Sequence, residues 1–456
     1  MNFVTPFLAG AAEVKTTPPL GTRINGDFIT HYATHIHDDL FAKALVMKSG
    51  EETVALVIVD ICVMPKEFVD GVKTLIASRT GIAHSHVLIA STHTHAAGSV
   101  ADVHLGSLDP AYEKMLPGRI AEAVQAALQQ LRPARVAFGS VAAPEHLRCR
   151  RYTMKPGYMP LNPVTGGTDQ VKTNPFGVEA YIDHSVAPTD PELGFLAVQG
   201  LDGRWIGILG NYSLHYVGDW ENGNISADYF GCFSHRLRER LNAGGEFVGM
   251  MSNGTSGDVN IWDFVDGGRY PQAQFEKSKF IGHDLADRLV DSLGSLEWQP
   301  EPVLEAIFES IPCEIVKPSA QELENAARMI AGARFETIDC DDEGLKRIYA
   351  REQLLLAEMP AIRECPAQAI RIGSGIIGGL AGEFFSETGL YLKTQAGTGS
   401  YFTITMANGN AGYVPPRHEM ERGGYETWRC RYSCMAPGTE AKIREKLLAM
   451  IRTLRA

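Results

Sequence analysis

The sequence predicts an α/β fold, on two observations. Short apolar segments, typical of buried strands, alternate with longer segments of helical periodicity. Val54–Asp60 and Val87–Ala90 are apolar strands, Lys66–Ser78 has helical periodicity, and Tyr112–Leu131 is an alanine-rich helix with Pro133 just beyond it. The composition, with 45% hydrophobic and 21% charged residues, is that of an ordinary globular protein with a sizeable core.

The other elements continue this alternation. Residues 1–30 are rich in proline, glycine and threonine, so we expect a leading loop rather than a folded unit. Strands are predicted at Leu40–Met47, Thr53–Ile61, Val136–Ala142, Trp205–Leu209, Glu246–Met251, Val303–Lys317, Ala367–Ile372, Ile376–Leu380 and Tyr401–Met406. Helices are predicted over residues 225–241, 275–293, most of 320–359, and 439–455.

Composition and charge exclude several classes of protein. The net charge of −12 argues against non-specific nucleic-acid binding, which leaves a small molecule as the expected partner. Met1–Gly10 does not resemble a signal peptide, and no run approaches the roughly 18 apolar residues of a membrane span. The eight cysteines form no CxxC pair, so we expect reduced thiols and a cytoplasmic location.

The most informative stretch is Thr92-His93-Thr94-His95, which follows the apolar run Val87–Ala90. In an extended chain alternate side chains share a face, so His93 and His95 would point the same way. Such a pair suits a metal ion or a reacting group, although it also fits two polar histidines at a strand end. His35 and His37 form a second, weaker pair of this kind, and we expect them to be loop residues.

Three later apolar strands also end in polar residues, namely His215, Glu383 and Tyr413. Side chains at the carboxyl ends of strands in α/β proteins commonly form an active site, and two histidines with one carboxylate are a common catalytic zinc set. Two alternatives stay open: Glu383 could cap a helix, and Tyr413 could be a buried, hydrogen-bonded tyrosine. Asp60, at another strand end, could support a metal-bound histidine or cap the next helix.

Two loops add candidate groups. Arg148, Arg150 and Arg151 form a basic cluster ahead of a long loop (155–178), and one of them could grip an anionic or carbonyl group of a substrate. The small, polar loop 252–260 could hold an oxyanion with its backbone amides. Because this loop lacks the lysine of a phosphate-binding loop, nucleotide binding is a poor interpretation.

Taken together, five motifs resemble those of the neutral/alkaline ceramidase family, specifically its N-terminal catalytic domain. They are Thr92–His95, Asn211–His215, Ile225–Tyr229, Gly257–Val259 and Gly382–Phe384. The family also pairs two tyrosines twelve residues apart, as Tyr413 and Tyr425 are here. The resemblance runs from about residue 20 to 435 and implies a layered α/β/β/α arrangement of mixed sheets flanked by helices.

The resemblance implies a role for each site residue. The zinc ligands would be His93, His215, Glu383 and Tyr413, while His95 and Tyr425 would lie beside the substrate carbonyl. A family arginine would fall on Arg150 or Arg151, which the sequence does not distinguish. The family's loop serine corresponds to Gly254, with Ser252 and Ser256 nearby, which argues against a serine nucleophile.

The expected activity is zinc-dependent hydrolysis of an amide (N-acyl) bond by metal-activated water. The alternatives are hydrolysis of an ester, lactone or glycosidic bond in a soluble metabolite, and a non-enzymatic metal-bound binding module. We expect one catalytic domain over residues 1–456, with residues 318–362 as a helical insertion and without the family's immunoglobulin-like C-terminal domain. Its absence, and that of a secretion signal, argues against ceramide itself as the substrate, and a homo-oligomer is compatible with the sequence.

Overall fold

The computed structural model describes residues 6–265 and 268–456. The interpretation of Met1–Gly10 as lacking a signal sequence therefore rests partly on residues outside those described. In the described residues no helix is both long and apolar enough to span a membrane.

The helices, in chain order, are α1 (Lys66–Thr80), α2 (Pro110–Gln129), α3 (Asp228–Arg240), α4 (Glu276–Ser292), α5 (Ala320–Ile330), α6 (Asp342–Glu358), α7 (Ser386–Gln395), α8 (Arg417–Arg422) and α9 (Thr439–Arg455). The strands are β1 (Leu8–Lys15), β2 (Arg23–Asn25), β3 (His31–Tyr32), β4 (His35–Ile36), β5 (Phe41–Ser49), β6 (Glu52–Val59), β7 (Val87–Ser91), β8 (Ala97–Gly98), β9 (Arg132–Ala142), β10 (Arg148–Cys149), β11 (Arg151–Met154), β12 (Val171–Thr173), β13 (Ile182–Ser185), β14 (Glu192–Gly200), β15 (Trp205–Tyr212), β16 (Asn224–Ile225), β17 (Val248–Asn253), β18 (Val259–Asn260), β19 (Leu304–Glu314), β20 (Ile362–Ile372), β21 (Gly375–Leu380), β22 (Glu383–Phe384), β23 (Tyr401–Ile404) and β24 (Tyr413–Val414).

The largest sheet has eight strands in the order β17-β15-β14-β9-β1-β5-β6-β7. It is mixed, because β6 pairs with β7 and β15 with β17 in parallel while the other neighbours run antiparallel. The expectation that residues 1–30 form only a loop is wrong, since β1 lies inside this sheet between β5 and β9. Its small residues (Leu-Ala-Gly-Ala-Ala) have weak strand preference on their own, and pairing with Phe41–Ser49 on one side determines the conformation.

A four-stranded sheet, β19-β20-β21-β23, packs face to face on the large sheet. One apolar core lies between them and combines residues such as Leu56 and Leu209 of the large sheet with Ile370 and Phe402 of the small one. Helices α1 and α2, and separately α3 and α4, cover the outer face of the large sheet, while α9 covers the small sheet. This is the predicted α/β/β/α layering, which is therefore confirmed.

The segment between β19 and β20 contains α5 and α6, which pack on each other. Since β19 and β20 are antiparallel neighbours, the chain leaves the small sheet for these helices and returns to pair with the strand it left. On α6, Glu352 accepts hydrogen bonds from the guanidinium of Arg431, which ties the helical segment to the loop after Tyr425.

Candidate active site

Three buried side chains from distant parts of the chain converge on one point. The Nε2 atoms of His93 and His215 are 3.2 Å apart, and each lies 3.6 Å from Oε2 of Glu383. All three residues are at most 4% exposed. Oε2 of Glu383 has no hydrogen-bond partner among the described residues, which is costly for a buried carboxylate oxygen.

Backbone carbonyls fix the orientation of both imidazole rings. Nδ1 of His93 lies 2.8 Å from the carbonyl oxygen of Cys62, and Nδ1 of His215 lies 3.1 Å from that of Ser256. Each Nδ1–H donates to its carbonyl, so the lone pair on each Nε2 faces the shared point. This is the arrangement that metal-ligating histidines adopt in proteins.

The backbone at His93 departs from the extended conformation on which the same-face argument depends. Strand β7 ends at Ser91, and His93 has a φ of 72°, in the left-handed region. The same-face prediction is therefore right in outcome but wrong in cause: a turn, not a strand, brings His93 and His95 together. A left-handed histidine is strained, and such strain concentrates at functional sites.

Glu383 and Tyr413 lie opposite each other in the short parallel pair β22–β24. The helix-cap alternative for Glu383 does not hold, because the backbone N–H of Ser386 at the start of α7 donates to Asp258. The hydroxyl of Tyr413 accepts a hydrogen bond of 3.0 Å from Nη2 of Arg150. Burial raises the pKa of Tyr413 well above its usual value, and the charge of Arg150 opposes that rise.

The three converging atoms fit a metal ion. With metal–nitrogen distances of 2.0–2.1 Å, the ligand atoms of a tetrahedral zinc site lie about 3.3 Å apart, and the three atoms here are separated by 3.2–3.6 Å. Two neutral imidazoles and a carboxylate are a donor set that zinc accepts. The unpartnered Oε2 of Glu383 also gains a partner if a cation binds there.

His95 lies beside this centre. Its Nε2 is 3.4 Å from Nε2 of His93, and its ring stacks on Tyr216 with the centroids 3.6 Å apart. Burial, followed by the charges of His93 and Arg150, holds the pKa of His95 well below its usual value. A Cβ atom on Gly26 would come within 2.5 Å of the imidazole of His95, so only glycine fits against this ring.

The structure separates the two candidate arginines. Arg150 lines the cavity, contacts Tyr413, and pairs through Nε with Glu426 at 2.8 Å. Arg151 is fully buried outside the cavity, where it pairs with Glu419 and Glu426 at 2.9 and 2.6 Å. Arg151 therefore connects α8 and the residues after it to β11, while Arg150 reaches the site.

A cavity of about 410 Å³ opens onto the converging side chains. Tyr425, the second candidate tyrosine, lines it and packs edge-on against Tyr413 with the centroids 5.6 Å apart. Burial raises the pKa of Tyr425, so its hydroxyl stays a proton donor at neutral pH. One pocket thus contains a point where a cation fits, a neutral histidine, a phenol and an arginine.

Other candidates lie elsewhere. His35 is in β4 and His37 stacks on Phe275, and neither lines the cavity. The hydroxyls of Ser252 and Ser256 donate to Gly210 and Asn253, within the protein interior. At Gly254 a side chain would collide with Ser213.

Asp60 fits neither of the two roles considered for it. Its Oδ2 accepts from the backbone N–H of Phe41 at 2.9 Å, and it contacts neither a site histidine nor the start of α1. The groups that do hold the histidines are the carbonyls of Cys62 and Ser256, which sequence reasoning missed. A carbonyl is common to every residue, so no sequence signal could identify them. Gly26 was missed for a related reason. Only the folded structure shows that a side chain at this position would collide with His95.

Comparisons with known proteins agree with this architecture. No protein-family model matches the sequence, and no curated protein matches it. Among solved structures, a neutral ceramidase from Pseudomonas aeruginosa matches with a TM-score of 0.74 at 16% identity, covering 99% of this chain and 74% of that chain. A ceramidase complexed with C2 matches with a TM-score of 0.72 at 16% identity, covering 99% and 75%. The predicted resemblance is thus confirmed for the fold, which is what a likeness at this identity establishes.

Proposed function

We propose that this protein is a zinc-dependent hydrolase that cleaves an amide (N-acyl) bond. The observation that carries the proposal is the convergence of His93, His215 and Glu383 at 3.2–3.6 Å inside a cavity that also holds His95 and Tyr425. The fold likeness supports an amide, because the matching structures are described as ceramidases and ceramide is a fatty-acid amide.

His93, His215 and Glu383 would hold the metal, with Tyr413 as the fourth ligand. When bound, zinc supplies a Lewis acid and a water of lowered pKa. Arg150 assists Tyr413, because a permanently charged guanidinium that donates to the phenol oxygen favours its anionic form. Burial nevertheless keeps the pKa of Tyr413 well above its usual value, so a bound cation would have to lower it for the phenolate to serve as the fourth ligand.

His95 would move the proton that amide cleavage requires. Its depressed pKa keeps the ring neutral at pH 7, so a ring nitrogen is free to accept a proton. The same environment makes the protonated ring a strong acid, which readily delivers that proton to the leaving nitrogen. Tyr425 would donate a hydrogen bond to the carbonyl oxygen as it becomes negative, a contribution typically worth about 3 kcal/mol of barrier.

Two experiments test this function. Metal analysis of the purified protein should find about one zinc per chain, and little in the His93→Ala and His215→Ala variants; full occupancy in both variants would remove this site from consideration. A parallel screen of N-acyl amino acids, N-acyl sugars, esters and glycosides then decides the bond. If esters or glycosides are hydrolysed and no amide is, the bond cleaved at this site is an ester or glycosidic bond rather than an amide.

A further inference from the structure

A second pocket adjoins the active-site cavity, and the proposed chemistry does not use it. It has a volume of about 360 Å³ and shares Phe176 and Trp262 with the active-site cavity. Its other lining residues include Glu179, Asp263, Phe264, Tyr270, Gln272 and Lys277. They come from the segment after β12, from the residues after β18, and from the approach to α4 and its first turn. The second pocket is therefore a binding volume of its own beside the centre formed by His93, His215 and Glu383.

Aromatic rings form one side of the second pocket. The ring of Phe176 packs against those of Trp262 and Phe264, with centroids 5.0 and 4.8 Å apart and interplanar angles of 71° and 75°. Phe264 in turn packs edge-on against Tyr152, a buried residue of β11. Rings that are held at fixed angles present flat apolar faces to a ligand, and little side-chain entropy is lost when it binds.

Hydrogen bonds orient the polar side chains of the second pocket. Nε of Arg148 donates to Asp263 at 2.6 Å. The hydroxyl of Tyr270 donates to Nδ1 of His146 at 2.9 Å, while Nε2 of His146 donates to Asp284 at 2.8 Å. Side chains fixed by a second layer of hydrogen bonds are typical of a preorganised binding site.

Three lining side chains keep polar groups available to a ligand. Glu179 and Lys277 form no ion pair among the described residues. The amide of Gln272 donates through Nε2 to the backbone carbonyl of Tyr270, which leaves its Oε1 as an acceptor. The pocket therefore offers acceptors on Glu179 and Gln272 and a donor on Lys277, which suits hydroxyl groups because a hydroxyl both donates and accepts.

The charges in and near the second pocket favour a neutral ligand. Those of Glu179 and Lys277 cancel each other, and Arg148 neutralises Asp263. An anion would meet the carboxylate of Glu179, and a cation would meet the ammonium group of Lys277. The zinc ion proposed for the neighbouring cavity, whose charge Glu383 offsets only in part, adds to the repulsion of a cation.

We propose that the second pocket binds a pyranose sugar, and that the substrate of the neighbouring site is a glycosylated N-acyl amine. A pyranose has apolar C–H faces that stack on aromatic rings, and hydroxyls that reach Glu179, Gln272 and Lys277. The pocket volume is that of a site for one small molecule. Because Phe176 and Trp262 border both spaces, a substrate at the metal centre reaches the pocket across these two rings. The assignment of the sugar to a substrate rests on the proposed amide hydrolysis.

Amides that differ in one group X test the proposal with zinc-loaded protein. X is β-D-glucopyranosyloxy, β-D-galactopyranosyloxy, cyclohexyloxy or trimethylammonio, on the amine side in N-(2-X-ethyl)butanamide and on the acyl side in N-butyl-4-X-butanamide. In at least one series, we expect kcat/KM of a glycoside to exceed that of the cyclohexyloxy and trimethylammonio amides by at least about tenfold, because polar groups that bind hydroxyls reject analogues without them. A preference for cyclohexyloxy or trimethylammonio, or equal rates throughout, would overturn the proposal.

Two substitutions change the second pocket at residues that do not line the active-site cavity. Phe264→Leu removes an aromatic face, and Gln272→Ala removes the amide of an exposed side chain. The ratio of kcat/KM between the preferred glycoside and its cyclohexyloxy analogue should fall by at least about threefold in each variant. Gln321→Ala, which changes an exposed glutamine of α5, is the matched control and should keep the wild-type ratio. A wild-type ratio in both Phe264→Leu and Gln272→Ala would refute the assignment of the sugar to this pocket.

A binding measurement separates this inference from the proposed function. If none of the amides is hydrolysed, amide hydrolysis fails, and calorimetric titration of the same compounds tests the second pocket by itself. A glycoside that binds at least tenfold tighter than its cyclohexyloxy analogue, with a smaller difference in Phe264→Leu and Gln272→Ala, would support the sugar site. Equal or undetectable binding of all the compounds would rule it out.

Discussion

Zinc should stabilise this protein through His93, His215 and Glu383. Without a metal, two nitrogen lone pairs and a carboxylate oxygen face one another at 3.2–3.6 Å, and a bound cation removes that repulsion only in the folded state. At a free zinc concentration one hundred times Kd, binding adds about 2.7 kcal/mol to the free energy of unfolding.

The length of the chain determines how far this energy raises the melting temperature. With about 2.1 cal/mol/K of unfolding entropy per residue, 456 residues give roughly 1 kcal/mol/K, so the melting temperature should rise by about 3 °C. If His93→Ala weakens binding at least 100-fold, the gain at the same zinc concentration is at most about 0.4 kcal/mol, and the rise drops below about 1 °C.

Differential scanning fluorimetry of chelator-treated protein, with and without buffered zinc, measures this shift. His35→Ala provides the matched control, because it removes an exposed histidine of β4 that does not line the cavity. Wild type and His35→Ala should shift equally, while His93→Ala and His215→Ala should not. Equal shifts in all four proteins would show that zinc binds elsewhere, and no shift in the wild type would refute a preformed site.

Three further changes should have separable effects. Gly26→Ala should lower kcat by about 100-fold with zinc content unchanged, because its Cβ would displace the ring of His95; loss of zinc instead would show that the damage reaches His93. Tyr425→Phe should lower kcat by about 10²–10³-fold without altering the zinc-induced rise in melting temperature, and unimpaired turnover would exclude the phenol from the reaction. For Asp60, burial raises the pKa from 3.8 to about 6, so its stabilising contribution is present below pH 3.8 and is lost as the pH rises through 6. Wild type should therefore lose about 2 kcal/mol relative to Asp60→Asn between pH 4 and 7 in urea denaturation, and a pH-independent difference would contradict that pKa.

The secondary-structure elements and the candidate site residues could be predicted because the sequence patterns that indicate them are local. Apolar runs such as Val87–Ala90 form strands wherever both faces are buried, and β7 covers that run. The central strand β1 could not be predicted in this way. Its sequence of alanine and glycine has little strand preference, and its position follows from pairing with residues 41–49, far along the chain.

The choice between Arg150 and Arg151 shows a second limit of prediction from the sequence. The two arginines are adjacent in the sequence, and nothing in the neighbouring residues reveals which of them reaches the cavity. The partners decide it: Glu419 of α8 and Glu426 bind the guanidinium of Arg151, whereas that of Arg150 pairs with Glu426 and also reaches Tyr413. Both sets of partners lie more than 260 residues further along the chain.

The Thr92–His95 motif contains two histidines, but their backbone conformations and ring contacts differ. His93 turns through a left-handed conformation, and its Nδ1 is fixed by the carbonyl of Cys62, which directs its Nε2 to Glu383. His95 has its ring packed against Gly26 and Tyr216, and its Nε2 approaches the centre from the side. A metal ligand must be held rigidly by a hydrogen bond to its other nitrogen, whereas a proton carrier needs a neutral ring that reaches the substrate. His93 meets the first requirement, and the cavity-lining ring of His95, whose pKa is held well below its usual value, fits the second, which is the physical basis for proposing different roles for the two residues.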